Sequence, residues 1–125
     1  MRLTSFACVL VLAASCTSGP SASIERACVA LQDVLDEWQV AFAGARDFDA
    51  TSSLPERIVT FDRAATDSGS AELADGARAV RAAWRQFALA RRADDHALDA
   101  LRAVRDRLDD AARECIRLDV QMRLE

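Results

Sequence analysis

The chain lacks several residues and patterns that catalytic proteins commonly use. Its 125 residues include a single histidine, no tyrosine and two prolines, and the sequence contains no Cys-x-x-Cys pair. Neither a dithiol redox motif nor a zinc knuckle is therefore indicated. His96 is the only conventional general base and no Gly-x-Ser-x-Gly turn occurs, so a Ser or Cys nucleophile has little to activate it. We predict a protein without enzymatic activity and without a cofactor.

Clustered positive charge is also missing. The 16 basic residues are all arginine, and the 20 acidic residues give the chain a formal net charge of −4 at pH 7. Nucleic-acid binding depends on concentrated positive charge, which neutralises phosphates. We therefore do not expect a nucleic-acid partner.

No apolar run reaches the roughly 20 residues that a membrane-spanning helix needs. The main apolar segment covers residues 3–14, directly after Arg2, and is followed by small residues and a stretch rich in Gly, Pro and Ser. A short positive start, a short apolar run and small residues are typical of a secretory signal peptide. We predict that residues 1–15 are this signal and that the protein is exported.

Residues 13–16 read Ala-Ala-Ser-Cys and resemble the lipobox of bacterial lipoproteins. In that family the third residue before the cysteine is preferentially Leu, whereas here Ala13 holds this position and Leu12 lies one residue earlier. The resemblance implies that the thiol of Cys16 receives a diacylglyceryl group, that the signal is cut just before it, and that the new amine is acylated with a fatty acid such as palmitate.

Lipidation at Cys16 would hold the mature protein on the cell membrane, facing away from the cytoplasm, because several buried acyl chains give essentially permanent anchoring. Residues 16–23 would then be the lipidated cysteine followed by a flexible tether. The alternative is an ordinary soluble secreted protein, cut after Ala14 or near Ser23.

The four cysteines have separate predicted roles. Cys8 leaves with the signal peptide and Cys16 is the predicted lipid site, which leaves Cys28 and Cys115. Outside the cytoplasm, two remaining cysteines most simply form a disulfide. Such a long closed loop would contribute about 4–5 kcal/mol to the free energy of unfolding in the chain-entropy model.

Residues 24–125 predict one all-α domain, because apolar residues recur at spacings of three and four and strong helix formers dominate. Short connections favour an antiparallel up-down four-helix bundle. The predicted helices cover residues 24–45, 54–68, 71–92 and 95–122. Their apolar stripes are Ile24, Cys28, Leu31, Leu35, Trp38, Phe42 and Ala45; Leu54, Ile58, Phe61 and Ala65; Leu73, Ala77, Val80, Trp84 and Phe87; and Ala97, Leu101, Val104, Leu108, Ala111, Cys115, Leu118 and Met122.

Polar residues at the helix starts predict caps. Ser23 precedes the first stripe and Ser70 precedes the third, and each could accept a hydrogen bond from a free backbone N–H group. Ser53 and Glu56 have the spacing of a capping box at the second helix. Gly69 is a natural stop for that helix.

The boundary between the third and fourth helices depends on the disulfide. Nothing within residues 91–96 breaks a helix, so residues 71–122 could form one continuous rod. At 1.5 Å per residue, such a rod would place Cys115 about 65 Å from its start, beyond the reach of Cys28. We therefore predict a turn near Asp94. An extended rod or an intermolecular disulfide is the alternative.

A possible metal site lies at the start of the fourth helix, where His96 stands beside Asp95 and Asp99. One histidine with two carboxylates falls far short of the ligand sets of di-iron bundles. The alternative is a solvated first turn whose acidic residues are favourably placed on the helix dipole.

Two features could contact a partner. Arg78, Arg81 and Arg85, with Arg92 beyond them, run beside the third stripe and could bind an anionic partner through bidentate contacts. The alternative is a charged flank that faces water or the acidic residues of the next helix, namely Asp106, Asp109 or Asp110.

Phe48 lies between two aspartates in the first interhelical loop. It could anchor a partner or fold back over the end of the bundle. Trp38, Phe42, Trp84 and Phe87 could line a ligand pocket, but their spacing favours a place in the core.

Together these features predict a non-catalytic lipoprotein of the cell envelope, a small helical module that binds an envelope protein or supports an envelope assembly. A carrier of a small ligand or a metal is the alternative. An enzyme or an enzyme inhibitor is a third and weaker alternative.

Overall fold

A computed structural model describes residues 19–42, 52–93 and 97–124. Within these ranges the chain forms four α-helices and no strand, so the predicted all-α class is confirmed. In chain order the helices are α1 (Ala22–Phe42), α2 (Leu54–Thr66), α3 (Ala71–Ala93) and α4 (Ala97–Arg117).

The helices pack as the predicted four-helix bundle, in which successive helices contact each other and α4 closes onto α1. The hydroxyl of Ser23, in the first turn of α1, donates to the carbonyl of Ser68, just after α2. Cys28 near the start of α1 is bonded to Cys115 near the end of α4. Neighbouring helices therefore run antiparallel. We call this end the disulfide end; it contains the start of α1, the end of α2, the start of α3 and the end of α4.

All four helices contribute to one hydrophobic core. The second predicted stripe is buried in full, and Trp38, Trp84 and Leu101 of the other stripes are half-buried against the core. Complete burial of one large apolar side chain contributes about 1.5–3 kcal/mol. The largest fully buried apolar side chains are Phe61, Leu31, Leu54, Ile58, Leu73, Leu108, Val34, Val80 and Val104.

The disulfide joins Cys28 to Cys115 within one chain, as predicted, with a Cα–Cα distance of 5.9 Å. Both cysteines are fully buried. The bond requires a reversal between α3 and α4, and α3 indeed ends at Ala93 while α4 begins at Ala97. Residues 94–96 lie outside the described ranges.

The predicted caps of α2 and α3 have different outcomes. Ser70 caps α3, because the N–H of Leu73 donates to its hydroxyl over 3.2 Å. The prediction of a capping box at α2 was wrong. The Ser53 hydroxyl makes no cap hydrogen bond and instead accepts a hydrogen bond from Arg57 at 2.9 Å. The backbone N–H of Ser53 donates to Glu37 on α1 rather than to Glu56.

The first helix begins before the predicted cap. Ser21, not Ser23, accepts the hydrogen bond from the N–H of Ile24, at 3.2 Å. Ser23 is free to donate to Ser68 because it already lies inside the helix. Gly69 follows α2 with a φ of +83°, the left-handed conformation that favours glycine after a helix.

The fourth helix ends at Arg117, so its predicted extension to residue 122 was wrong. Asp119 adopts a φ of +70°, and the N–H groups of Asp119 and Val120 donate back to Ile116 and Cys115. This pattern is a left-handed helix cap. Leaving the helix here allows Val120 and Met122 to pack against the core, whereas a longer helix would carry them past the end of the bundle.

Candidate interaction surface

The second helix is too short to cover its neighbours at the end opposite the disulfide. It has 13 residues, against 21 to 23 in the other three helices. Its start lies level with Glu37, whose carboxylate accepts a hydrogen bond from the N–H of Ser53 at 3.2 Å. Because α3 is joined to α2 by a tight turn, α3 continues about 15 Å beyond the start of α2.

Aromatic side chains concentrate at this opposite end, which we call the aromatic end. Trp38 and Phe42 contact each other on successive turns of α1, with ring centroids 4.7 Å apart and ring planes tilted by 45°. Trp84 and Phe87 form a similar pair on α3 at 5.3 Å. The sequence placed these four residues in the core; Phe87 is buried, but the other three are only half-buried. The aromatic end is therefore apolar and partly open to solvent within the described residues.

A cleft of about 410 Å³ lies along the last turns of α3. Its lining is mainly apolar and comes from Trp84, Phe87 and Ala88 together with Arg91 and Arg92. An aromatic surface beside guanidinium groups suits a ligand that combines an apolar group with a carboxylate, since arginine binds carboxylates in a bidentate way.

The arginines of α3 differ in their ion pairs. Arg78 pairs with Asp75 on its own helix, and Arg81 pairs with Asp62 on α2 at 2.8 Å. Neither Arg85 nor Arg92 has a carboxylate within ion-pair distance among the described residues, and both are exposed. Positive charge without a described counter-charge therefore increases along α3 toward the aromatic end.

Among the described residues, no acidic residue of α4 pairs with an arginine of α3, so the predicted contact with Asp106, Asp109 or Asp110 is not observed, whereas Arg78 and Arg85 face water as the same alternative allowed. Asp109 pairs with Arg105 at 3.1 Å, one turn earlier on the same helix. Asp110 pairs with Arg107 and Arg113, also on α4. The i,i+3 and i,i+4 spacings on one helix satisfy these carboxylates locally.

One arginine of α4 has a shifted pKa. A side-chain hydrogen bond to Glu114, reinforced by the charge of that carboxylate, raises the pKa of Arg117 above its ordinary value. Arg117 therefore stays charged, and it is committed to an ion pair at the disulfide end.

Asp62 is the most buried partner of these ion pairs, since its side chain is only 15% exposed. Its second carboxylate oxygen, Oδ1, accepts no hydrogen bond among the described residues. Sequence reasoning missed this pair because Asp62 and Arg81 lie on different helices, and no local spacing signals such a contact.

The predicted metal group is not assembled in the described part of the chain. Asp95 and His96 lie outside the described residues, and Asp99 is exposed and pairs with Arg102 at 3.4 Å. Among residues 19–42, 52–93 and 97–124, no group of three His, Cys, Asp or Glu side chains could hold a metal ion.

Two further predicted site residues, Phe48 and Cys16, lie outside the described residues. For the part of the chain that the structure covers, no helix combines the length and hydrophobicity needed to cross a membrane. Comparison with protein-family models, with curated proteins and with solved structures finds no match to this chain.

Proposed function

We propose that this chain is a non-catalytic, lipid-anchored protein of the cell envelope that binds a protein partner through its aromatic end. The observation that carries the partner-binding proposal is the cleft beside Trp84 and Phe87, with exposed arginines next to it. The anchoring proposal rests on the lipobox-like residues 13–16.

The direction of the chain supports this arrangement. The proposed tether ends where α1 begins, at Ala22 rather than after Ser23 as predicted, and this start of α1 belongs to the disulfide end. A helix of the length of α1 spans about 30 Å, so the aromatic end lies at that distance from the point where the tether joins. A membrane-anchored module would therefore present its aromatic end away from the lipid surface.

The chemistry of the cleft indicates the kind of partner. Aromatic and arginine side chains are the types that most often carry binding energy in protein interfaces. We expect a partner segment with an apolar side chain for the cleft and a carboxylate for Arg85 or Arg92. Such a contact needs no catalytic group and no cofactor.

Lipidation is tested by feeding cells an alkyne-labelled fatty acid and measuring the label on the full-length gene product. We expect label on the parent protein and none on Cys16→Ser. Cys8→Ser is the matched control, because it changes a cysteine of the predicted signal and should keep the label. Unlabelled parent protein found in the medium would favour the soluble secreted alternative.

Partner binding is tested with a photo-reactive amino acid placed at Leu89, which is 53% exposed near the cleft. The matched control position is Val29, which is 59% exposed on α1 near the disulfide. Amine cross-linkers are unsuitable because the chain has no lysine. We expect one reproducible adduct from Leu89 in intact cells and none of that mass from Val29.

Charge reversal sharpens this experiment. Arg85→Glu with Arg92→Glu should abolish the Leu89 adduct, whereas Arg63→Glu, an exposed arginine at the disulfide end, should leave it unchanged. Equal adducts from Leu89 and Val29, or an adduct insensitive to Arg85→Glu and Arg92→Glu, would contradict binding at the aromatic end.

The apolar lining of the cleft, from Trp84, Phe87 and Ala88, supports a second candidate function, a carrier of a small apolar ligand, because small-ligand sites are lined mainly by apolar and aromatic side chains. Native mass spectrometry of protein purified from its own host distinguishes the two functions. A bound species lost in Trp84→Ala would support the carrier, and bare protein would count against it.

A further inference from the structure

The segment after α4 crosses from that helix onto α1 beside the disulfide. We call residues 118–124 the strap. Its direction is set at Asp119, whose φ of +70° turns the chain back after Arg117. Val120 and Met122 then pack against the core, so the strap is attached to the bundle by apolar contact as well as by polar groups.

Two residues of α1 bind the strap. The side-chain amide of Gln32 donates to the carbonyl of Arg123 at 3.0 Å and accepts from the N–H of the same residue at 2.8 Å. The guanidinium of Arg123 also pairs with Asp36, one turn further along α1, at 3.1 Å.

The fourth helix binds the strap as well. Arg105 donates to the carbonyl of Leu124 at 2.9 Å, and its guanidinium lies 6.0 Å from the ring centroid of Trp38 on α1. The strap is thus held by side chains from both helices that the disulfide joins.

Residues of the strap line a cleft that reaches Cys28 of the disulfide. This cleft, of about 300 Å³, is lined by Cys28, Gln32 and Asp36 on α1 and by Val120 and Arg123 of the strap. Cys28 and Cys115 are nevertheless fully buried. Separation of the strap from α1 would widen this cleft, because Val120 and Arg123 form part of its lining.

We propose that the strap is a local gate that controls whether thiol reductants reach the Cys28–Cys115 bond. Its polar contacts are exposed: the Arg123 and Asp36 side chains are 71% and 53% accessible. Exposed ion pairs contribute little to stability, and segments with exposed polar contacts open locally at lower free energy than buried helices. The disulfide is therefore protected by the strap rather than by the stability of the whole bundle.

The reaction that the gate controls is thiol–disulfide exchange with an external dithiol. A thiolate of the dithiol attacks the sulfur of Cys28, forming a new S–S bond while the Cys28–Cys115 bond breaks. Cys115 leaves as a thiolate and takes up a proton. The second thiol of the dithiol then attacks the dithiol's other sulfur, which is bonded to Cys28. The bond to Cys28 breaks, Cys28 is released as a thiol, and the dithiol is left as an oxidised disulfide.

The test measures the rate at which dithiothreitol reduces the full-length protein under native conditions, read by alkylation and peptide mapping of Cys28 and Cys115. Mapping each cysteine separately keeps the result independent of the state of Cys16. For Gln32→Ala combined with Asp36→Asn we expect reduction about tenfold faster than in the parent, because two hydrogen bonds and one ion pair no longer oppose opening.

The matched control is Gln39→Ala combined with Asp106→Asn, two exposed residues on α1 and α4 without a described side-chain partner. It should be reduced at the parent rate. Circular dichroism and urea unfolding of the oxidised proteins check that every variant is folded.

Low urea concentrations separate local from global opening in the parent itself. A local gate gives a reduction rate that hardly changes with urea, whereas global unfolding gives a steep increase that follows the equilibrium slope. A steep urea dependence, or equal reduction rates for the strap variant and its control, would overturn the proposal. With glutathione, a monothiol, the first adduct should map to Cys28, and an adduct at Cys115 would overturn the assigned direction of attack.

Discussion

At the disulfide end, a covalent bond joins α1 to α4, Ser70 caps α3, and residues of the strap line the cleft beside Cys28. At the aromatic end, α2 starts without a side-chain cap from Ser53, and half-buried aromatic rings stand beside arginines. The disulfide end is closed by a covalent bond, and the backbone N–H group of Leu73 at the start of α3 is hydrogen-bonded there. The other end keeps aromatic and arginine side chains accessible, which are residue types enriched in protein interfaces.

This contrast suggests a division of roles along the bundle. Closure near the start of α1 stabilises the fold close to the proposed membrane tether. Because that closure does not depend on the aromatic end, the exposed side chains Arg85 and Arg92 can contact a partner without weakening the disulfide end. The predictions below test whether stability is in fact concentrated at the disulfide end.

The largest effect should come from the disulfide. Replacing both Cys28 and Cys115 by Ala should lower the free energy of unfolding by about 4–5 kcal/mol, because the bond closes a loop across 87 residues. Urea unfolding followed by circular dichroism measures this loss. The reduced parent protein is the control, and a loss below about 1 kcal/mol would mean that closure of this end does not depend on the bond.

Two leucines on α4 compare the core of the two ends. Leu108 is fully buried, whereas Leu101, two turns nearer the aromatic end, is half-buried. Leu108→Ala should destabilise the protein by about 3 kcal/mol and Leu101→Ala by about 1 kcal/mol, because the first leaves a cavity that solvent cannot fill. Equal losses in urea unfolding would show that the core is as tight at the aromatic end.

Two arginines one turn apart on α3 compare ion pairing. Arg81→Ala should cost about 1–2 kcal/mol, because it leaves the carboxylate of Asp62, only 15% exposed, without its cation. Arg85→Ala should change the free energy of unfolding by less than about 0.5 kcal/mol. Thermal unfolding of both variants gives the comparison, and a larger effect for Arg85 would reveal a structural role at the aromatic end.

The smallest expected effect concerns two serines at helix starts. Ser70→Ala should cost about 1 kcal/mol, since the N–H of Leu73 loses its acceptor. Ser53→Ala should cost less than about 0.5 kcal/mol, because its hydroxyl accepts a hydrogen bond from Arg57 and caps nothing. Chemical unfolding resolves the difference, and the reverse order would restore the capping box predicted from the sequence.

Whether a sequence-based prediction was correct depended on how far apart in the sequence the interacting residues lie. Apolar periodicity located all four helices, and the requirement that Cys28 meet Cys115 divided residues 71–122 into two of them. Ser70 and Gly69 were correct because caps and turns depend on neighbours within a few residues. The proposed roles of Cys16 and of the aromatic end remain predictions.

The errors arose where a residue on another helix bound a group that the prediction had assigned to a neighbour in the sequence. Glu37 takes the backbone N–H of Ser53 that a capping box would have satisfied, and this contact between α1 and α2 has no local signature. Likewise, the apolar stripe of α4 continues through Met122, with no Gly or Pro to mark the end of the helix.

The sequence by itself determined the helices, their inward faces and the cysteines that join them, because spacing along a helix decides which side chains share a face. Only the tertiary structure decided that α4 stops at Arg117, that Gln32 and Asp36 bind the strap, and that Asp62 pairs with Arg81. Those outcomes depend on which helix lies opposite each side chain. Helix packing brings two side chains together in space whether or not they are close along the chain.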